Sequence, residues 1–579
     1  MTIRFRATAL CLFGFCFLYV PLAFSRTHAP ELCPRPAQGA LIAAPEDLRS
    51  VDGKLQAALS IYNERTAGGA TRYCYRTADG HEAPTLRVHP GDLVVLNLEN
   101  HLETLDSKHN EKGGPHHHPQ GAAGTDPCTS GVMSAISTNL HFHGMTMPAV
   151  CHQDEVLKTS IQPGDAPFEY RFRVPDDEPP GLYWYHPHIH GFSSKEVTGG
   201  ASGALIVEGL ERAIPEVAGL PEQVLVIRDP DLLNPDAVPS TSEPVVPKPT
   251  LDPDGDVANN NTGFGKPARD LSVNFVPVPY PEYPPARLVL KPQERQLWRV
   301  LNASAITYLH LSLLYDKIPQ PLGVVAIDGS PVNQGDPAGP HVKTVDHLVI
   351  PPGSRAEFII EGPPAGASGL LITRMVDTGQ DGENVPNRPL LAVEATDTAP
   401  ETQSRLPAAD GQLSAPTRPW VGSVTPVRVR KLYFSERRSD PNNPMSPTVF
   451  FITVDGEEPR VFDPANPLPN IVVKQGDVED WIIENRSLEL HAFHIHQLHF
   501  QLREWFGIQV NEPFLRDTVS VPFFENHMTR YPSVKVRMDF RDPNTVGTFL
   551  YHCHLLEHED AGMMGTIRVE PAPAAENTR

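Results

Sequence analysis

Positive charge is scarce in this sequence. Against 70 aspartates and glutamates stand 48 lysines and arginines, a formal net charge of −22. Such a surface repels a polyanionic backbone, so RNA or DNA binding is excluded. Long apolar runs are nearly missing too. One runs from Ala7 to Phe24, behind Arg4 and Arg6 and just ahead of Ser25. Its basic start and small-residue end predict a secretory signal peptide over residues 1–25, cleaved after Ser25, in preference to a retained anchor. No later segment is apolar enough to cross a bilayer, so a periplasmic or secreted protein, with no stable membrane insertion after cleavage, is expected. Cysteine is sparse as well. Of seven, Cys11 and Cys16 leave with the signal, and Cys33, Cys74, Cys128, Cys151 and Cys553 remain. An iron–sulfur cluster would want more. An odd count in an oxidising compartment keeps one thiol for another task, and Cys553, between two histidines, is the odd one. The other four can form two disulfides in three connectivities, with Cys128–Cys151 favoured for one of them.

Chain breakers, by contrast, are abundant. The 42 glycines and 62 prolines are about 18% of 579 residues, too many for a mostly helical protein and without the collagen period. With 40% apolar and 20% charged residues the chain is globular, and its length predicts three or four domains. Short alternating strands divided by Pro, Gly, Asn and Asp turns have the texture of β-sandwiches. One strand–turn–strand pattern recurs three times: LRVHPGDLVVLN at Leu86–Asn97, LVLKPQERQLWRVLN at Leu288–Asn302 and IVVKQGDVEDWIIEN at Ile471–Asn485. The spacing fits one Greek-key sandwich per copy. Domains are expected over residues 33–210, 215–398 and 427–569, with a Pro/Thr-rich linker over 399–426. Two insertions, Glu103–Gly131 with His116, His117 and His118, and Asn234–Lys266, read as surface loops.

The 25 histidines carry the chemistry. Four short segments concentrate them: His141-Phe142-His143, His186-Pro187-His188, His491-Ala492-Phe493-His494-Ile495-His496, and His552-Cys553-His554 with His558 and Met563. On a strand, residues i and i+2 share a face, so each His-x-His pair aims two imidazoles at one point. Four pairs give eight nitrogen ligands, more than one ion would take. Imidazole suits copper, zinc and iron alike. Cys553 decides among them: its sulfur faces the opposite side of the strand from His552 and His554. With His491, His558 and Met563 it makes a two-imidazole, one-thiolate set with a thioether, the blue-copper combination.

In order and spacing the four segments resemble those of the multicopper oxidases, and the run HCHLLEHEDAGMM at His552–Met564 is especially similar to that family's bacterial members. The resemblance implies an all-β chain of three consecutive cupredoxin-like Greek-key sandwiches holding four copper ions. His491, Cys553, His558 and Met563 would hold one type 1 copper. His141 and His494 would hold one type 2 copper, and His143, His186, His188, His496, His552 and His554 the type 3 pair, in a cluster between domains one and three. Asp154 and Glu559 match the family's proton donors, with Glu155 an alternative to Asp154. Asp517 resembles a family turn near the copper strands, and His190 and His499 sit near ligands without matching ligand positions. Any metal binding by the His116–His118 loop is expected to be adventitious.

The expected partners are dioxygen and a small-molecule or metal-ion reductant, with the protein a monomer. Cuprous oxidases of this kind carry a methionine-rich segment. Here there are ten methionines, and Met445 stands alone between Pro444 and Ser446. The expected activity is therefore laccase-like, with phenols or similar aromatics giving electrons at the exposed edge of His491 or His558. A metallo-oxidase acting on Cu(I), Fe(II) or Mn(II) is the alternative, and a non-enzymatic copper-binding protein of the same fold the remaining one.

Overall fold

The computed structural model describes residues 31–66, 68–105, 126–239, 244, 246–396, 418–443, 446–466 and 468–573. The expected signal peptide, His116–His118, residues 399–417 of the expected linker and Met445 lie outside them. Among the described residues no helix is long and apolar enough to cross a membrane.

Six β-sheets form three cupredoxin sandwiches. The first pairs a five-stranded with a four-stranded sheet, the second an eight- with a six-stranded sheet, and the third a six- with a five-stranded sheet. Alternation writes the inner faces: strand Lys54–Arg65 buries Leu55, Ala57, Leu59 and Ile61 while their neighbours face outward. Each sandwich has its own apolar core, around Leu59, Leu96 and Tyr185 in the first, Trp298, Leu311 and Phe358 in the second, and Trp481, Phe493 and Tyr551 in the third.

The recurring sequence pattern is the corner at which the chain passes between the two sheets of a sandwich. Strands Thr85–Val88, Ala286–Leu290 and Ile471–Lys474 lie in one sheet, and Leu93–His101, Arg295–Asn302 and Val478–Asn485 lie in the other. In every copy the first strand pairs parallel with the last strand of its domain. The second pairs parallel with the strand that opens the facing sheet. The corner turns on a left-handed residue: Gly91 (φ 85°), Gln293 (φ 57°) and Gly476 (φ 102°). Glycine adopts that conformation without a steric penalty, so the pattern keeps it twice.

Two disulfides tie down the first sandwich. Cys33 pairs with Cys74 and Cys128 with Cys151, leaving Cys553 as the free, buried thiol among the described residues. One expectation needs correcting. The insertion Asn234–Lys266 is not simply a surface loop. Its Asp252 is 9% exposed, and Asp254 reaches within 3.5 Å of His558 Nε2. Its low hydropathy suggested solvent, but the acidic side chains face a second protein surface instead.

Candidate metal centre

All four histidine segments sit at strand ends, and strand register brings them together. In the first sandwich His141, on His141–His143, lies directly opposite His186, which ends Gly181–His186. In the third, His494 lies opposite His552, and Phe493 opposite Cys553. Eight rings from the two sandwiches then meet. His141 stacks on His496 (3.8 Å between centroids), and His143 stacks on His494 (3.9 Å). His188 lies 5.3 Å from His552, and His143 lies 5.0 Å from His554. Ligand atoms of His141, His143 and His186 lie within 4.8 Å of one another, as do those of His141, His494 and His496, and of His188, His496 and His552.

Most of these rings hydrogen-bond on one side only, the exception being His552, whose Nε2 also meets His496 Nε2 at 3.2 Å. His141 Nδ1 faces both oxygens of Asp154 at 3.0 Å, His143 Nε2 faces Asp517 Oδ1 at 3.0 Å, and His494 Nδ1 donates to the Asp517 carbonyl at 2.8 Å. His186 Nδ1 donates to the Pro187 carbonyl and His552 Nδ1 to that of Cys553, both at 2.9 Å. The opposite nitrogens of His141, His143, His186 and His494 are buried and bare, as are His188 Nε2, His496 Nδ1 and both nitrogens of His554. A buried polar atom without a partner is costly unless something binds it. Outer nitrogens anchored by carboxylates and carbonyls, with inner nitrogens bare, are the arrangement of metal-ligating imidazoles. Burial, reinforced by neighbouring rings, lowers the proton affinity of the set, His186 to about 3 and His552 to about 4. The rings therefore stay neutral, with lone pairs available for a metal.

On the other side of strand Gly547–Cys553, Cys553 Sγ lies 3.7 Å from His491 Nδ1 and 3.9 Å from His558 Nδ1. Met563 is fully buried beside them, its N–H donating to the His558 carbonyl (2.8 Å) and its carbonyl accepting from Cys553 N–H (3.1 Å). Burial pushes the thiol up to about 12, so only a bound cation would draw out its thiolate. Two imidazoles, one sulfur and a buried methionine fit copper.

Both expected proton donors reach the cluster. Asp154 is 2% exposed and also accepts from Phe142 N–H (2.8 Å) and Gln497 Nε2 (2.6 Å). Glu155 turns away to Lys158 and Thr159. Glu559 is fully buried, with Oε2 3.3 Å from His552 Nδ1 and Oε1 3.6 Å from His188 Nε2. Burial raises both carboxyls well above their usual range, for Glu559 with help from Asp560.

A family model described as multicopper oxidase matches residues 438–573, and a second of the same description matches 133–212. Those two stretches hold every histidine segment. This chain belongs to the multicopper oxidase family. Among its relatives, the iron transport multicopper oxidase FET3 of Gibberella zeae is 22% identical, the match covering 84% of this chain and 71% of the relative. The multicopper oxidase mco of Staphylococcus haemolyticus is 24% identical over 84% and 81%. The solved structure of a Campylobacter jejuni multicopper oxidase, described as a metallo-oxidase, superposes with a TM-score of 0.62 at 23% identity, covering 93% of this chain and 96% of that one. As a multicopper oxidase the chain is a copper-dependent oxidoreductase that reduces dioxygen with electrons from a reductant.

One feature of this oxidase escaped sequence reasoning. His491 and His558 have no exposed edge; both are completely buried. Phe434 lies over His491 (4.9 Å) and Phe450 stacks on His558 (4.1 Å), while carboxylates close the remaining side. Glu489 Oε1 lies 3.3 Å from His558 Nε2, and Asp254 Oδ2 lies 3.5 Å from it. Behind them stand Asp252, Asp256, Glu383 and Glu436. Burial first, and then neighbouring carboxylates (Asp254 for Asp252, Asp381 for Glu436, Glu557 for Asp256), pushes Asp252 and Glu436 up to about 8 and Asp256 to about 9. Arg269 pairs with Asp256 at 3.1 Å and with Glu557. These acids come from separate chain segments spread over more than two hundred residues, so no local motif announced them.

Proposed function

We propose that this oxidase is an exported metallo-oxidase, taking single electrons from a hard divalent ion such as Fe(II) or Mn(II) beside His558 and reducing dioxygen to two waters. Four M(II), one O₂ and four H⁺ give four M(III) and two H₂O. The observation that carries the reading is the acidic ring over His558. Glu489 is 2% exposed with Oε1 making no hydrogen bond, and Asp252 Oδ2 is likewise buried and unpaired. Carboxylate oxygens suit hard cations, and a soft cuprous ion would want thioethers. A neutral phenol gains nothing from such a ring and finds no exposed histidine edge. The iron-transport and metallo-oxidase descriptions of two relatives support the same choice.

In this reading His491, Cys553, His558 and Met563 hold type 1 copper, His141 and His494 type 2, and His143, His186, His188, His496, His552 and His554 the type 3 pair. Copper there supplies a one-electron acceptor at Cys553 and an oxygen-reducing centre among the eight histidines. The protein does the rest. Cys553 is bonded through the backbone to both His552 and His554, which gives the shortest covalent path between the two sites. Asp154 and Glu559, carboxyls kept protonated by burial, hold protons at the cluster. The two disulfides support an oxidising, periplasmic or extracellular location.

The test compares kcat/KM for Fe(II), Mn(II), Cu(I) and a methoxyphenol in wild type and Asp254→Asn. Metal-ion turnover should exceed phenol turnover and fall at least tenfold in the variant, with phenol oxidation unchanged. Phenol preferred over every metal ion, with no effect of Asp254→Asn, would establish the laccase-like alternative.

A further inference from the structure

The middle sandwich supplies no histidine to the cluster, yet one of its arginines reaches it. Arg355 opens strand Arg355–Glu361 and is fully buried. A guanidinium so enclosed needs its donors matched. Arg355 Nε donates to the Leu182 carbonyl (3.0 Å) of the first sandwich, and Nη1 to the Gly353 carbonyl (3.2 Å) of its own. Toward the third sandwich Nη1 donates to Asp517 Oδ1 at 2.8 Å, while Nη2 stands 2.7 Å from Oδ2 as an ion pair that lacks hydrogen-bond geometry. Asp517 is the residue that meets His143 Nε2 through Oδ1 and His494 Nδ1 through its carbonyl. The packing leaves no slack: a Cβ on Gly144 would lie 2.5 Å from Arg355 Nη2 and 2.6 Å from Asp517 Oδ2.

We propose that Arg355 is a positioning residue for the oxygen-reducing centre: by hydrogen-bonding one oxygen of Asp517 and ion-pairing with the other it holds His143 with its proton on Nε2 and Nδ1 bare. The inference rests on the copper assignment above. The Thr518 hydroxyl already donates to Asp517 Oδ1 at 2.9 Å, and one competing partner, His499 Nε2, waits 3.6 Å from Oδ2. A carboxylate released by Arg355 could swing toward His499 and leave His143 free to rotate or change tautomer. The planar fork prevents this, and a lysine, which is a point charge, cannot grip two oxygens at once.

The test uses the full-length, copper-loaded protein. Arg355→Lys should retain the blue absorbance, because the Cys553 site does not touch Asp517. Its type 2 EPR signal should be altered, and copper at the cluster should be lost to a chelator about ten- to a hundredfold more readily, the usual cost of removing a ligand's supporting partner. Arg299→Lys is the control: Arg299 is equally buried in the same sheet but pairs with Glu222 and Glu357. It should leave both readouts unchanged. Asp517→Asn should reproduce the selective loss and decides the matter if Arg355→Lys does not fold. Adding Arg355→Lys to Asp517→Asn should then weaken copper retention no further. Wild-type EPR and retention in Arg355→Lys, or in Asp517→Asn, would overturn the proposal, as would an equal loss in Arg299→Lys. A wild-type protein lacking any type 2 signal would instead overturn the copper assignment.

Discussion

Raising the pH from 6 to 8 should destabilise this protein, and a divalent cation should reverse the loss. Burial and neighbouring carboxylates push Asp252 and Glu436 up to about 8 and Asp256 to about 9, while in the unfolded chain each titrates near 4. Below about pH 4 both states carry these protons. Between about 4 and 8 only the folded chain keeps them, so unfolding releases protons and stability falls as pH rises; once the folded groups have also ionised, near 9, the slope vanishes. Each group contributes at most about 1.4 kcal/mol per pH unit. The three together set a ceiling of about 8 kcal/mol across the two units, which solvent relaxation and the partial exposure of Asp252 and Asp256 will reduce severalfold. Even 2 kcal/mol corresponds to about 4–8 °C in the midpoint of a domain of this size. Differential scanning calorimetry at pH 6, 7 and 8, with and without Mn(II), is the assay. The midpoint should fall with pH, and Mn(II) should restore it at pH 8, because the cation binds the ionised ring of the folded state. A midpoint that is flat over this range, or indifferent to Mn(II) at pH 8, would refute the cation-binding argument along with the pH argument.

Three further outcomes are expected. Cys553→Ser should abolish the blue colour and turnover while copper stays at the histidine cluster, checked by absorbance and metal content; a blue variant would contradict the type 1 assignment. Glu559→Gln should slow reoxidation by dioxygen at least tenfold with reduction by substrate unchanged, since its carboxyl faces the histidine cluster, 3.3 Å from His552 Nδ1. Stopped-flow absorbance measures both phases, and equal reoxidation rates would count against proton delivery by Glu559. Replacing both Cys33 and Cys74 by serine opens a link spanning 41 residues and should cost about 4 kcal/mol, read from denaturant unfolding of the oxidised protein.

Much of the centre was legible in the sequence because its information is local. A His-x-His pair on a strand must present both rings to one face, and the cysteine between His552 and His554 must face the other. The recurring strand–turn–strand pattern marked the sandwiches for the same reason: alternation and a left-handed turn are written within fifteen residues. The pairing of Cys33 with Cys74 was one of three open connectivities, because connectivity depends on which strands become neighbours. What covers His558 was beyond sequence reasoning altogether. Asp252 and Asp254 from the middle domain meet Glu436 and Glu489 from the third only after both sandwiches have folded, and hydropathy marks each of them as solvent-facing. Arg355 is hidden in the same way: a buried arginine looks like a surface one until three domains close around it. The sequence alone therefore picked out the candidate ligands, because strand geometry groups them one segment at a time. Only the tertiary structure decided which charges enclose them, because those charges are brought together by packing and by no local rule.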